Sequence, residues 1–118
     1  MTDKVFGMLG LAAKSGMVVS GSDICERLMA KSAQPLVVLA ADASENTKNK
    51  FLSKAAIKEK KTAIRIYGTC EELGKYIGKE NRSVLVITDR NFADCLMKLM
   101  DCALRENGGG DIGKNQGL

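Results

Sequence analysis

Two stretches of the chain are apolar at almost every position: PLVVLAA at 35–41 and SVLVIT at 83–88. Side chains of a strand point alternately to its two faces, so an unbroken apolar strand needs cover on both. These runs therefore predict buried strands sandwiched between helices, with Pro35 only at the start of the first. TAIRIYG at 62–68 alternates β-branched and other residues and predicts a further strand. MVV at 17–19 predicts a short extended segment. Between these stretches the apolar positions follow a helical period. TDKVFGMLGLAAKSG at 2–16 predicts a helix capped by Thr2 or Asp3, with Lys14 and Gly16 closing it. Gly7 and Gly10 inside it suggest a close approach by another element. A second helix opens at Ser20 or Gly21. Its Ile24, Cys25, Leu28 and Met29 share an arc of about 140° that predicts the core face. Ser22, Asp23, Glu26, Arg27 and Lys31 occupy the opposite, exposed side. A third helix follows Ser44 as N-cap and turns Phe51, Leu52, Ala55 and Ala56 inward. A short fourth opens with a capping box, Thr69 to Glu72. The last, at 89–106, presents Phe92, Leu96, Leu99 and Ala103 on one side. This order, α-β-α-β-α-β-α-β-α, predicts an α/β fold, a three-layer α/β/α sandwich. Residues 1–106 read as one domain. The segment 107–118, NGGGDIGKNQGL, has no apolar period and reads as a Gly-rich C-terminal tail.

Composition narrows the chemistry. A length of 118 residues suits a single domain, and a net charge of +4 with a pI of about 8.9 permits a polyanionic partner. With no histidine in the chain there is no Ser-His or Cys-His pair. There is no GxxxxGK[ST] loop and no GxGxxG after a strand. The expectation is a protein that is not an enzyme, with no catalytic residues and no cofactor. The cysteines, Cys25, Cys70, Cys95 and Cys102, form no CxxC pair. Each suits a small buried apolar position better than a metal site. No segment approaches the length of a membrane span, and the N-terminus does not resemble a signal peptide. A soluble cytoplasmic protein with reduced thiols is expected.

Three features could bind a ligand, and each has a structural alternative. The DAS at 42–44 ends the first apolar run, where α/β proteins bind ligands, or it simply caps the next helix through Ser44. Seven basic residues and one acid lie between Asn46 and Arg65, with Lys50, Lys54, Lys58 and Lys61 on one helix face. They are either a solvated face or a polyanion footprint. The helix start at Gly21 and Ser22 offers free N–H groups to an anion, with Asp23 and Arg27 beside it. Alternatively Asp23 and Arg27 form an ordinary i,i+4 ion pair. Few aromatics are present, so stacking of unpaired bases on a flat platform is not expected.

Three motifs in order make the pattern more specific: LGLAAKSGMVVSGSDICER, LVVLAADASENTKNK and EELGKYIGKENRSVLVITDRNFA. Together, over about residues 5 to 100, they resemble the kink-turn-binding ribosomal-protein family of large-subunit proteins seven-Ae and thirty-e, in particular its bacterial YlxQ-like branch. The resemblance implies an α/β/α sandwich on a four-stranded mixed sheet, and binding of sharply bent RNA. The family opens its second helix as G-x-N-E-x-x-K. Here Gly21 and Ser22 match the first two positions. Asp23 stands for the asparagine, Ile24 for the glutamate and Arg27 for the lysine. Asp23 can only accept hydrogen bonds, and Ile24 makes none. The loop GKENRS at 78–83 is charged where tight binders have an apolar one, so Lys79 and Arg82 are expected on phosphates. The resemblance implies a structured-RNA partner, a kink-turn or ribosomal RNA, held by Lys14, Gly21, Ser22, Asp23, Arg27, Lys79 and Arg82. Its rivals are a protein-interaction module of the same fold with weak or lost RNA binding, and a small-molecule enzyme or nucleotide binder using the DAS strand end.

Overall fold

Every residue of β2 (Leu36–Leu39) and β4 (Val84–Ile87) is fully buried, as two-sided burial of their apolar runs requires. The computed structural model describes residues 4–57 and 62–104. The other elements are α1 (Lys4–Lys14), β1 (Val18–Ser20), α2 (Ser22–Lys31), α3 (Glu45–Ile57), β3 (Ala63–Ile66), α4 (Cys70–Tyr76) and α5 (Arg90–Leu104). The caps expected at Thr2 and Asp3, the residues Lys58 and Lys61, and the tail from 107 lie outside the described residues.

The sheet order is β1-β4-β2-β3. β4 runs antiparallel to both its neighbours, and β2 pairs with β3 in parallel, so the sheet is mixed. The wholly apolar strands take the centre, and the half-buried β1 and β3 take the edges. Leu36, Val38, Leu85 and Ile87 face one side, where they pack with Val5, Phe6 and Leu9 of α1, Leu73 of α4, and Ala93, Leu96 and Met100 of α5. Val37, Leu39, Val84 and Val86 face the other, against Cys25 and Met29 of α2 and Phe51 of α3. The result is the expected three-layer sandwich. Gly10 of α1 lies where an added Cβ would come within 3.1 Å of the Tyr76 carbonyl oxygen, the close approach that a glycine in this helix suggested.

Several positions differ from the sequence expectation. Ile24 is 52% exposed and Leu52 45% exposed, and Ala56 is also exposed. Both α2 and α3 must share one face of a sheet whose strands are three or four residues long. Each helix therefore buries a single i,i+4 row, Cys25 with Met29 and Phe51 with Ala55, and not a broad arc. In α5 the fully buried row is Ala93, Leu96 and Met100, flanked by half-buried Phe92, Leu99 and Ala103. Only Cys25 among the four thiols is buried. Cys70 and Cys95 are intermediate, with Cys70 packed at the edge of the core on the α1 side, and Cys102 is exposed.

Candidate nucleic-acid interface

The turn between β1 and α2 is built on Gly21, whose φ of 101° lies in the region that favours glycine. Its N–H donates to the Val84 carbonyl at 3.2 Å, and its carbonyl accepts from the Cys25 N–H at 2.9 Å. The chain thus leaves β4's neighbour and enters α2 without a gap. No side chain caps this helix start, so the first-turn N–H groups at Ser22 and Asp23 keep their capacity for an anion. Asp23 and Arg27 are exposed one turn apart, yet they do not form the ion pair that their spacing allows. Among the described residues Arg27 has no ion-pair or hydrogen-bond partner. Asp23, Glu26 and Arg27 line a shallow open depression of about 270 Å³.

The loop between α4 and β4 lies beside that turn. Arg82 Nε donates to Ser20 Oγ at 3.1 Å, and its Nη1 donates to the carbonyls of Asn81 at 2.9 Å and Glu80 at 3.4 Å. Its main-chain N–H also donates to the Cys70 carbonyl at 3.0 Å. The Nη2 donors have no partner among the described residues. A depression of about 630 Å³ runs along this loop, lined by Glu71, Lys75, Lys79, Glu80, Asn81 and Arg82. The loop is seated by α4. Gly74 is buried, and the Glu80 carbonyl approaches it so closely that a Cβ there would overlap the backbone.

The structure therefore brings Gly21, Ser22, Asp23, Lys79 and Arg82 onto two adjoining segments, with Arg27 one helical turn further on. Lys14 ends α1, on the other side of β1 in the chain from Gly21, and lines neither depression. The lysine row of α3 is used otherwise. Glu26 of α2 accepts from Lys50 Nζ at 3.4 Å and pairs with Lys54 Nζ at 3.6 Å, so these two lysines tie α3 to α2. Sequence spacing aligned the lysines but could not show that a carboxylate from the preceding helix would meet them.

The DAS segment acts as caps. Ser44 Oγ accepts from the Thr47 N–H at 3.1 Å at the start of α3. Asp42 Oδ1 accepts from the Cys70 N–H at 2.8 Å at the start of α4, and that bond holds its carboxyl below the usual aspartate value of 3.8. Partial burial, and then Asp42, push the Cys70 thiol up. Burial pushes the Cys25 thiol up to about 12. Phe6 stacks on Tyr76 with ring centroids 4.7 Å apart and meets Tyr67 at a tilt of 58° with centroids 5.4 Å apart, so these rings pack at the core. Among the described residues no group of three or more potential metal ligands gathers, and no helix is long and apolar enough to cross a membrane.

The molecule is a small α/β/α sandwich with an uncapped helix start beside a loop that carries Lys79 and Arg82. Residues 3–97 match the ribosomal protein L7Ae/L30e/S12e/Gadd45 family, and the chain belongs to it. It is 38% identical over 99 residues to RNA-binding protein YlxQ of Bacillus subtilis (strain 168), covering 81% of this chain and 94% of that protein. It is 30% identical over 98 residues to RNA-binding protein YlxQ of Enterococcus faecium, covering 83% and 92%. The solved structure of a protein with unknown function from Bacillus halodurans C superposes with a TM-score of 0.79 at 30% identity, covering 85% of this chain and 99% of that one.

Proposed function

We propose that this chain is a small RNA-binding protein that grips a sharply bent, structured RNA of the kink-turn or ribosomal type. We further propose that it works alongside the ribosome or translation, without catalysis. The observation that carries this reading is the division of the cations. Lys50 and Lys54 are committed to Glu26, whereas Lys14, Arg27 and Lys79 have no ion-pair partner among the described residues. Lys79 and the Nη2 of Arg82 lie on the loop that is fastened to Ser20, and Arg27 stands further along the helix that opens at Gly21, where a free helix start also favours phosphate. The family match and the two RNA-binding relatives support the same reading.

In this reading Gly21 and Ser22 let the RNA backbone approach the first turn of α2. Asp23 accepts from an exocyclic base amine. Arg27 takes a guanine edge or a phosphate with its fork, and Lys79, Arg82 and Lys14 meet phosphates on either side of the bend. The test is a gel shift against a standard kink-turn, with a control whose G·A pairs are replaced by Watson–Crick pairs. Neutralising about four phosphates gives a log–log salt slope of roughly −3 to −4. Failure to retain either RNA at low salt would remove the proposal.

A further inference from the structure

β1 is an outer strand of the sheet and, among the described residues, pairs only with β4. Main-chain groups of an antiparallel strand point alternately toward and away from the partner. Thr88 N–H donates to the Met17 carbonyl, and Gly21 N–H donates to the Val84 carbonyl. These two bonds place Met17, Val19 and Gly21 in phase toward β4. The N–H and C=O groups of Val18 and Ser20 therefore point outward. Edge strands are commonly guarded by shortness, lysine or proline, and β1, with the sequence VVS, is short but contains neither lysine nor proline.

A groove of about 600 Å³ adjoins this edge, lined by Val19, Ile24, Arg27, Leu28, Ala30 and Lys31. Val19 and Leu28 also pack against the second core, so the groove has a firm aliphatic floor. Ile24 stands 52% exposed at its side. The lining carries two cations and no carboxylate.

We propose that the outer edge of β1 and this groove form a docking site for an extended segment of another protein. That segment carries an aliphatic and an acidic residue two positions apart. It extends the sheet by hydrogen bonds to Val18 and Ser20, in the manner of strand addition. Residues two apart on a strand share a face. The aliphatic side chain thus fills the groove over Val19, Ile24 and Leu28 while the carboxylate meets Arg27 or Lys31. A second copy of this chain fits poorly, because pairing through β1 sets Arg27 and Lys31 against the same cations. RNA fits poorly deeper in the groove, because the aliphatic floor of Val19 and Leu28 offers no side-chain hydrogen-bonding group to a base edge or a phosphate. Arg27 stands on the border between this groove and the proposed RNA face.

The test pans a random peptide display library on the full chain, with the Ile24→Glu chain as counter-target. The enriched sequences are expected to carry valine or isoleucine two positions from glutamate or aspartate. A synthetic peptide of the best sequence should shift the amide NMR signals of Val18 and Ser20. Ile24→Glu and Lys31→Glu should each weaken it about tenfold. Both side chains are exposed, so unchanged thermal unfolding is the folding control. Three results overturn the proposal: no Ile24-dependent enrichment, enrichment of basic sequences, or a dimer of this chain abolished by Ile24→Glu. A fourth is loss of RNA affinity in both groove variants equal to that in Arg27→Ala, which would assign the groove to RNA. Absence of RNA binding would sink the proposed function and leave peptide docking standing.

Discussion

Arg82 Nε donates to Ser20 Oγ at 3.1 Å, across 62 positions of sequence. That bond fastens the loop before β4 to the last residue of β1, one position ahead of the Gly21 turn. Arg82 therefore positions the two segments against each other as well as offering its remaining donors to a phosphate. Arg82→Ala and Ser20→Ala should each weaken RNA binding. The double variant should lose less than the sum, with a coupling of about 1 kcal/mol. Arg82→Lys should recover little, because an ammonium cannot hold Ser20 and the loop carbonyls together. Additive losses in the cycle would mean that the bond does not organise the site.

Arg27→Ala is expected to cost about 1–3 kcal/mol of RNA affinity if the side chain reads a base edge. Folding stability should change by no more than about 0.5 kcal/mol, because the exposed guanidinium has no partner to lose among the described residues. Titration of a labelled kink-turn and urea unfolding measure the two quantities. Unchanged affinity would show that Arg27 does not touch the RNA.

Asp23→Asn combined with Ile24→Glu should raise preference for a kinked over a straight RNA. Asparagine supplies a donor that aspartate lacks, and glutamate accepts from guanine amino groups. Ile24 is exposed, so the second change adds no buried charge. A competition assay between the two RNAs at fixed salt reads the result. A double variant that discriminates no better than the parent would place the RNA differently from the family motif.

Gly74→Ala should be among the most damaging small substitutions in the chain. The methyl group would overlap the main chain at Glu80, and main chain cannot move aside as cheaply as the end of a flexible side chain. A loss of about 3 kcal/mol or more is expected in urea unfolding, in the range of severe overpacking. RNA binding should fall with it, because Lys79 and Arg82 ride on the displaced loop. A variant of parental stability would show that the loop can move aside.

Cys25, with its thiol pushed up to about 12 by burial, remains protonated and unreactive near neutral pH. Alkylation followed by mass spectrometry should modify exposed Cys102 quickly and Cys25 only when the chain unfolds. Reaction rising only at high pH in the folded protein would show instead that Cys25 is accessible and limited by ionisation alone.

The layer order and the central strands were legible because they rest on local pattern. The runs at Leu36 and Val84 are apolar at successive positions, and only two-sided burial explains that. The capping box at Thr69 and the cap at Ser44 were also legible, since both are short-range chemistry. The motif at Gly21 is local in sequence, so the candidate positions on α2 are legible residue by residue without geometry.

Tertiary structure decided what periodicity cannot express. A helical wheel gives the direction of a side chain but not the width of the surface it meets. Two helices share one face of short strands here, and that crowding leaves Ile24 and Leu52 in solvent. Spacing likewise aligned Lys50 with Lys54 and Asp23 with Arg27. The packing of α3 on α2 committed the lysines to Glu26, and Arg27 has no ion-pair partner among the described residues. Charges at equal sequence spacing can serve opposite ends, because their partners come from elements that only the folded chain brings together.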